Sequence, residues 1–344
     1  LSRLHSIGHI LILLSLCTLA FDFAACSPHK AEQAPVSIPL LQSIDDSVSI
    51  EAACKIISLE ILSRLGDNDT GAVKRFFQTV GVAGDSLAAA LGKNAATLVG
   101  SQAILDVVYR KWGMTFDRRD DDMEALLPHS AFKGKKGNCM AVSLMVLMLA
   151  ERAGCPVGGV VLPGHFFCRF DDGRTPANIE PNRGGYSHGD DYYRSQYLSN
   201  TGPRYTLQTL KRTETIGVFS YAAGTLFLRK NDPGFAAALL RECCRRFPSL
   251  VEAEGNHALA LALCGRSDTA LTMLEALYRT YPSTPNLAAN YGAVAMAAGR
   301  HKKAFEVYKA GLTHYPNDPK LLAGLSQAYM ACQSESLDSL KFGR

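Results

Sequence analysis

Residues 137–170 read GNCMAVSLMVLMLAERAGCPVGGVVLPGHFFCRF, and two patterns follow each other in them. From Cys139 to Ala153 the chain is apolar almost throughout. That predicts a helix buried on most of its sides, with Gly154 as a natural stop. Val157 to Leu162 is a short β-rich run, and Pro163-Gly164 predicts a turn. His165 to Phe170 then reads as a second strand, Asp171-Asp172-Gly173 as a second turn, and Ala177 to Glu180 as a third strand. A long helix followed by successive strands is an α+β arrangement. Upstream, Val48 to Leu65 has an amphipathic helical pattern, and further helical stretches run from Gly71 to Arg110.

The same stretch carries the chemistry. Gly137-Asn138-Cys139 places a cysteine in the first turn of the buried helix. The unpaired N–H groups and the dipole at a helix N-terminus favour negative charge, which suits a thiol nucleophile. His165 opens a strand that can lie beside that turn, and Glu180 follows on the next strand. A thiol, an imidazole and a carboxylate that orients the ring are the parts of a catalytic triad for nucleophilic acyl transfer. Asn178 shares a strand face with Glu180, and His188 lies in the loop beyond it, so both are candidate substrate-side residues. Cys168 is three residues from His165 and falls on the opposite strand face; it and Cys155 read as core. Trp112, the only tryptophan, either belongs to the core or walls the cleft.

A helix-borne Cys with a strand-borne His and acid is the papain-type arrangement, shared with cysteine proteases. Gly137-Asn-Cys-Met-Ala-Val-Ser-Leu144, Ala150-Glu-Arg-Ala-Gly-Cys-Pro-Val157, Leu162-Pro-Gly-His-Phe166 and Asn178-Ile-Glu-Pro181 resemble successive motifs of the transglutaminase-like superfamily. Gly184-Gly185 and Ser187-His-Gly-Asp-Asp-Tyr-Tyr193 are similar to members that carry Glu in place of the commoner Asp as third residue. The resemblance covers residues 110–193 best. It implies Cys139 as nucleophile, His165 as general base and Glu180 as the orienting acid, with no cofactor.

The C-terminal third repeats with a period of 34. Ala236, Ala270 and Ala304 form one series, Pro248, Pro282 and Pro316 another, and Gly265 and Gly299 a third. Gly224, Ala258 and Gly292 supply small residues at one offset in successive repeats. Small residues let paired helices approach closely, and the residue before a proline avoids helical geometry. This resembles the tetratricopeptide repeat, a helix–turn–helix unit that stacks into a curved solenoid with a concave protein-binding face. Repeats are expected at 217–250, 251–284 and 285–318, with a capping helix at 319–332.

Arg3, His5 and His9 precede the apolar run Ile10 to Ala20. It is short for a membrane span and of the length of a signal-peptide core. Phe23-Ala24-Ala25-Cys26 resembles the lipoprotein processing box, which implies lipidation at Cys26. An ordinary signal peptide cleaved at the same small residues is the alternative. Pro28, Pro35 and Pro39 mark a tether between an anchor and the folded part.

The expected organisation is therefore a signal peptide at 1–25, a tether at 26–46, a transglutaminase-like domain at 47–215, repeats at 216–332 and a tail at 333–344. The fold class is an α+β papain-like domain plus an all-α solenoid. A net charge of +4 over 344 residues gives no argument for a nucleic-acid partner. Ten cysteines without a CxxC pair or a Cys/His ligand spacing give none for a metal. Expected partners are a protein or peptide on the concave face of the repeats and a membrane through the lipid anchor. The expected location is the bacterial cell envelope, facing the periplasm or the exterior. Two functions stay open: a thiol hydrolase or acyl-transferase acting on peptide or amide bonds, and a non-catalytic scaffold that binds through its repeats.

Overall fold

The computed structural model describes residues 36–342 apart from 37, 39, 40, 42, 43, 120, 175, 199–204 and 285. The expected signal peptide and Cys26 lie outside the described residues. From Ile38 onward the chain forms two compact units that divide between Leu226 and Phe227. The division falls inside a helix, Arg212–Arg229, later than the expected start of the repeats at 216. No described helix is long and apolar enough to cross a membrane.

In the first unit, α1 (Ile50–Leu65), α2 (Thr70–Leu91) and α3 (Leu98–Leu105) precede a short π-helical turn, Asp106–Lys111. Ser49 caps α1 and Asp69 caps α2 through side-chain acceptors, as these residue types do at helix starts. The strand β1 (Thr115–Phe116), helices α4 (Met123–Leu126) and α5 (Pro128–Gly134), and the strand β2 (Lys136–Gly137) lead into the central helix α6 (Cys139–Ala153). Helix α6 has the expected bounds, and of its residues only Glu151 and Arg152 are not buried. Those two make polar ties at its outer end. Glu151 accepts from the Ile50 N–H at 2.8 Å, and Arg152 pairs with Asp85 and Glu51, each at 2.7 Å. Each large side chain buried along α6 contributes about 1.5–3 kcal/mol, so the helix is the core of the unit.

Strands β3 (Val157–Leu162), β4 (His165–Phe170) and β5 (Ala177–Ile179) form an antiparallel sheet in the order β3-β4-β5. Leu162 pairs with His165 across the two-residue turn, and Cys168 pairs with Ile179. The third strand ends one residue before Glu180, which instead makes a bridge with Tyr186. Cys168 donates to the Ser143 carbonyl of α6 at 3.5 Å, so its strand face is the one turned to the central helix. Helix α7 (Asp190–Tyr197) covers the other face, where Tyr193 packs with Val160, Leu162, Phe167 and Leu207.

In the second unit, α9 (Pro233–Arg246), α10 (Val251–Leu263), α11 (Ser267–Thr280), α12 (Leu287–Ala297), α13 (His301–His314) and α14 (Pro319–Phe342) follow α8 (Arg212–Arg229). Each of α9 to α13 packs on the next in the chain, and α12 also packs on α10. Helices α9, α11 and α13 end at Arg246, Thr280 and His314, each two residues before a proline of the 34-residue series. Ala236, Ala258, Ala270 and Ala304 are fully buried. Side chains 34 residues apart touch: Asn290 donates to Asn256 at 3.0 Å, Lys320 to Asn286 at 3.2 Å, and His301 meets Glu335 at 2.7 Å. The last helix does not stop at 332. Residues 333–342 contain neither Gly nor Pro, so no breaker separates the expected cap from the expected tail, and α14 continues to Phe342.

Candidate active site

The chain enters α6 on a fixed path. The Gly137 carbonyl accepts from the Asp117 N–H at 2.7 Å, and the Asn138 N–H donates to the Ala125 carbonyl at 2.9 Å. Asp117 is itself buried and held by Arg119 at 2.7 Å. A side chain at position 137 would begin 2.9 Å from the Ala131 methyl, which accounts for the glycine there. Asn138 is the N-cap of α6, and its side chain accepts from the Ala141 N–H at 3.0 Å. Cys139 is then the first helical residue. Its backbone N–H has no intrahelical acceptor and is available to an oxygen above the helix end.

His165 opens β4 directly after the Pro163-Gly164 turn, where Gly164 has φ +70°. Its Nε2 lies 2.9 Å from Glu180 Oε2, in a pair almost wholly removed from water. The Cys139 thiol also interacts with this ring. Cys139 is 6% exposed and His165 3% exposed, so the three groups meet in an interior of low dielectric.

Glu180 follows β5 and caps the turn Pro181–Arg183. Both carboxylate oxygens are engaged. Oε1 accepts from the Asn182 N–H at 3.0 Å, and Oε2 accepts from His165 and from the Tyr193 hydroxyl at 3.1 Å. Gly184 and Gly185, with φ +65° and +84°, turn the chain back so that Tyr186 bonds to the Glu180 backbone. The glycine pair thereby closes the loop that presents the acid.

The electrostatics follow from this geometry. Burial alone lowers the pKa of His165, but hydrogen bonds and charge from Cys139 and Glu180 outweigh it and push the ring up to about 9. Burial works to raise Glu180, and is outweighed by His165, the Asn182 N–H and Tyr193, which hold the carboxyl below its ordinary value. Burial pushes the Cys155 and Cys168 thiols up to about 11 and about 12. Burial also raises Cys54.

The structure thus brings Cys139, His165 and Glu180 together. The two substrate-side candidates are engaged with the start of α7. Asn178 is buried, with its amide donating to the His188 carbonyl and to Asp190, both at 2.9 Å, and its oxygen accepting from Arg169 at 2.6 Å. His188 stacks on Tyr192 with ring centres 4.0 Å apart. Both thereby brace the start of α7. Trp112 packs edge-on against Phe132.

Two further residues belong to the site, Tyr193 through Glu180 and Tyr197 through His165. Tyr197 stacks on the His165 ring at 4.9 Å. Their i, i+4 spacing on one face of α7 was the available sequence signal.

Residues 79–217 match the family model of the transglutaminase-like superfamily. That span contains Cys139, His165 and Glu180, and the chain therefore carries a transglutaminase-like domain there. No curated protein matches the chain.

Proposed function

We propose that this domain is a papain-like cysteine enzyme that transfers acyl groups from peptide or amide bonds through a thioester. The observation that carries this reading is the buried His165 ring held between the Cys139 thiol and the Glu180 carboxylate. The Cys139 sulfur attacks the amide carbonyl carbon, and the thiol proton is held on His165. The oxygen that gains charge faces the Cys139 N–H at the end of α6. His165 then delivers its proton to the leaving amine as the C–N bond breaks. Water, or an amine, attacks the thioester with His165 as base and restores the thiol. Glu180 stabilises the imidazolium and fixes the ring plane throughout. Turnover of a small peptide amide by the full chain, dependent on Cys139, tests the reading.

The near-complete burial of Cys139 and His165 favours a second reading, a non-catalytic scaffold in which the triad is enclosed within the fold. The helical unit serves either reading. Its 34-residue spacing supports tetratricopeptide repeats, and such an array docks a protein or peptide on its concave face. A lipid anchor at Cys26 would hold both units at a membrane of the bacterial envelope. Cys26→Ser is expected to move the protein from the membrane fraction to the soluble one; retention of this variant on the membrane contradicts the anchor.

A further inference from the structure

A glutamate has three rotatable side-chain bonds, and a carboxylate that must hold an imidazole in one plane has to lose that freedom. The Asn182 N–H fixes Oε1 only, and leaves the carboxylate able to turn about that contact. The atom that faces His165 is Oε2, and besides His165 it has the hydroxyl of Tyr193 at 3.1 Å. Tyr193 is fully buried, with its ring stacked 4.1 Å from Phe167 and in line with the His165 ring. Its own helix is fixed at the start: Asp190 accepts from Arg169 at 2.7 Å and from Asn178 at 2.9 Å, and Arg169 shares a strand face with His165. A continuous chain of hydrogen bonds and ring contacts, partly exposed at Asp190, therefore runs from β4 and β5 through α7 back to the acid.

We infer that Tyr193 is a positioning residue, whose hydroxyl holds Glu180 Oε2 in the plane of the His165 ring. The inference rests on the thioester reading for its effect on turnover, but its effect on the thiol can be read without turnover. His165 from β4, Tyr193 from α7 and the Asn182 N–H all bond to Glu180, and its charge also reaches Cys168 from β4, Tyr197 from α7 and Tyr109 from the π-helical turn. Tyr193 stays a neutral donor across the working range, because burial first and the Glu180 charge second push its hydroxyl well above the ordinary value. Removing this donor loosens the carboxylate and makes it easier to protonate.

The test is Tyr193→Phe in the full chain, which keeps the ring and its stacking and deletes one oxygen. Two pH profiles are compared with the unmodified protein: turnover of a small peptide amide, and alkylation of Cys139 by iodoacetamide without substrate. The expected result is a roughly ten- to thirtyfold fall in kcat with little change in KM, and an acid limb moved upward in both profiles. Profiles unchanged in position and height, whether or not the melting temperature falls, overturn the inference and leave Tyr193 as packing alone. If the unmodified protein turns over no amide but the alkylation limb still moves in the variant, the thioester reading fails while the positioning role stands.

Discussion

Cys139→Ala is expected to reduce amide turnover to background, a loss of roughly 10⁴-fold or more, as for single members of other nucleophilic triads. The fold should survive. Cys139 lies at the first helical position, where α6 is capped by Asn138 and not by the thiol, and alanine is the best helix former. The removed sulfur is a small part of a core spread along α6, at a cost on the order of 1 kcal/mol. Circular dichroism and the melting temperature check the fold, and initial rates check the chemistry. Turnover that persists in a folded Cys139→Ala protein would move the reaction to another site.

Glu180→Gln is expected to lower kcat by roughly 10²–10⁴-fold and leave a measurable residue of activity. The amide retains the length and can still meet His165 and Tyr193, so the ring keeps an approximate orientation. The charge is lost, and with it part of what raises His165. The alkaline limb of kcat/KM, expected near 9 for the unmodified protein, should therefore move down toward 6.5, the ordinary value of the ring. Stability should follow the same groups. The contribution of His165 is complete below 6.5 and is lost as pH rises through about 9. That of Glu180 is present above 4.5 and is lost as pH falls through its lowered native value. A variant with full activity and an unmoved alkaline limb would remove Glu180 from the mechanism.

The readable parts of the fold were those with strong local patterns. The run from Cys139 to Ala153, stopped by Gly154, set the central helix. The pairs Pro163-Gly164 and Asp172-Gly173 set the turns that place His165 and lead toward Glu180. The pair β1 and β2 gave no signal, because two-residue strands have no periodicity, although their backbone bonds fix the approach to Cys139. Helix α7 was hidden for another reason. Its sequence, Asp-Asp-Tyr-Tyr-Arg-Ser-Gln-Tyr, is polar and short, and it is held by the Asp190–Arg169 pair and two aromatic rings rather than by an apolar stripe. Strand parity puts Asn178 on the face of Glu180, but β5 ends at Ile179, and parity cannot show that the hydrogen bonds of Asn178 are taken by Arg169, Asp190 and the His188 carbonyl.

The central claim is that Cys139 is a nucleophile and that the buried Cys155, Cys168 and Cys243 are packing. Site-resolved mass spectrometry of the full chain during brief exposure to iodoacetamide at neutral pH tests it most directly, since no substrate need be known. Cys155, Cys168 and Cys243 are buried thiols whose values burial has raised. Cys139 instead opens a helix and interacts with a histidine that is held by a carboxylate. The expected result is that Cys139 is modified first; faster modification of Cys155 or Cys243 would contradict the account.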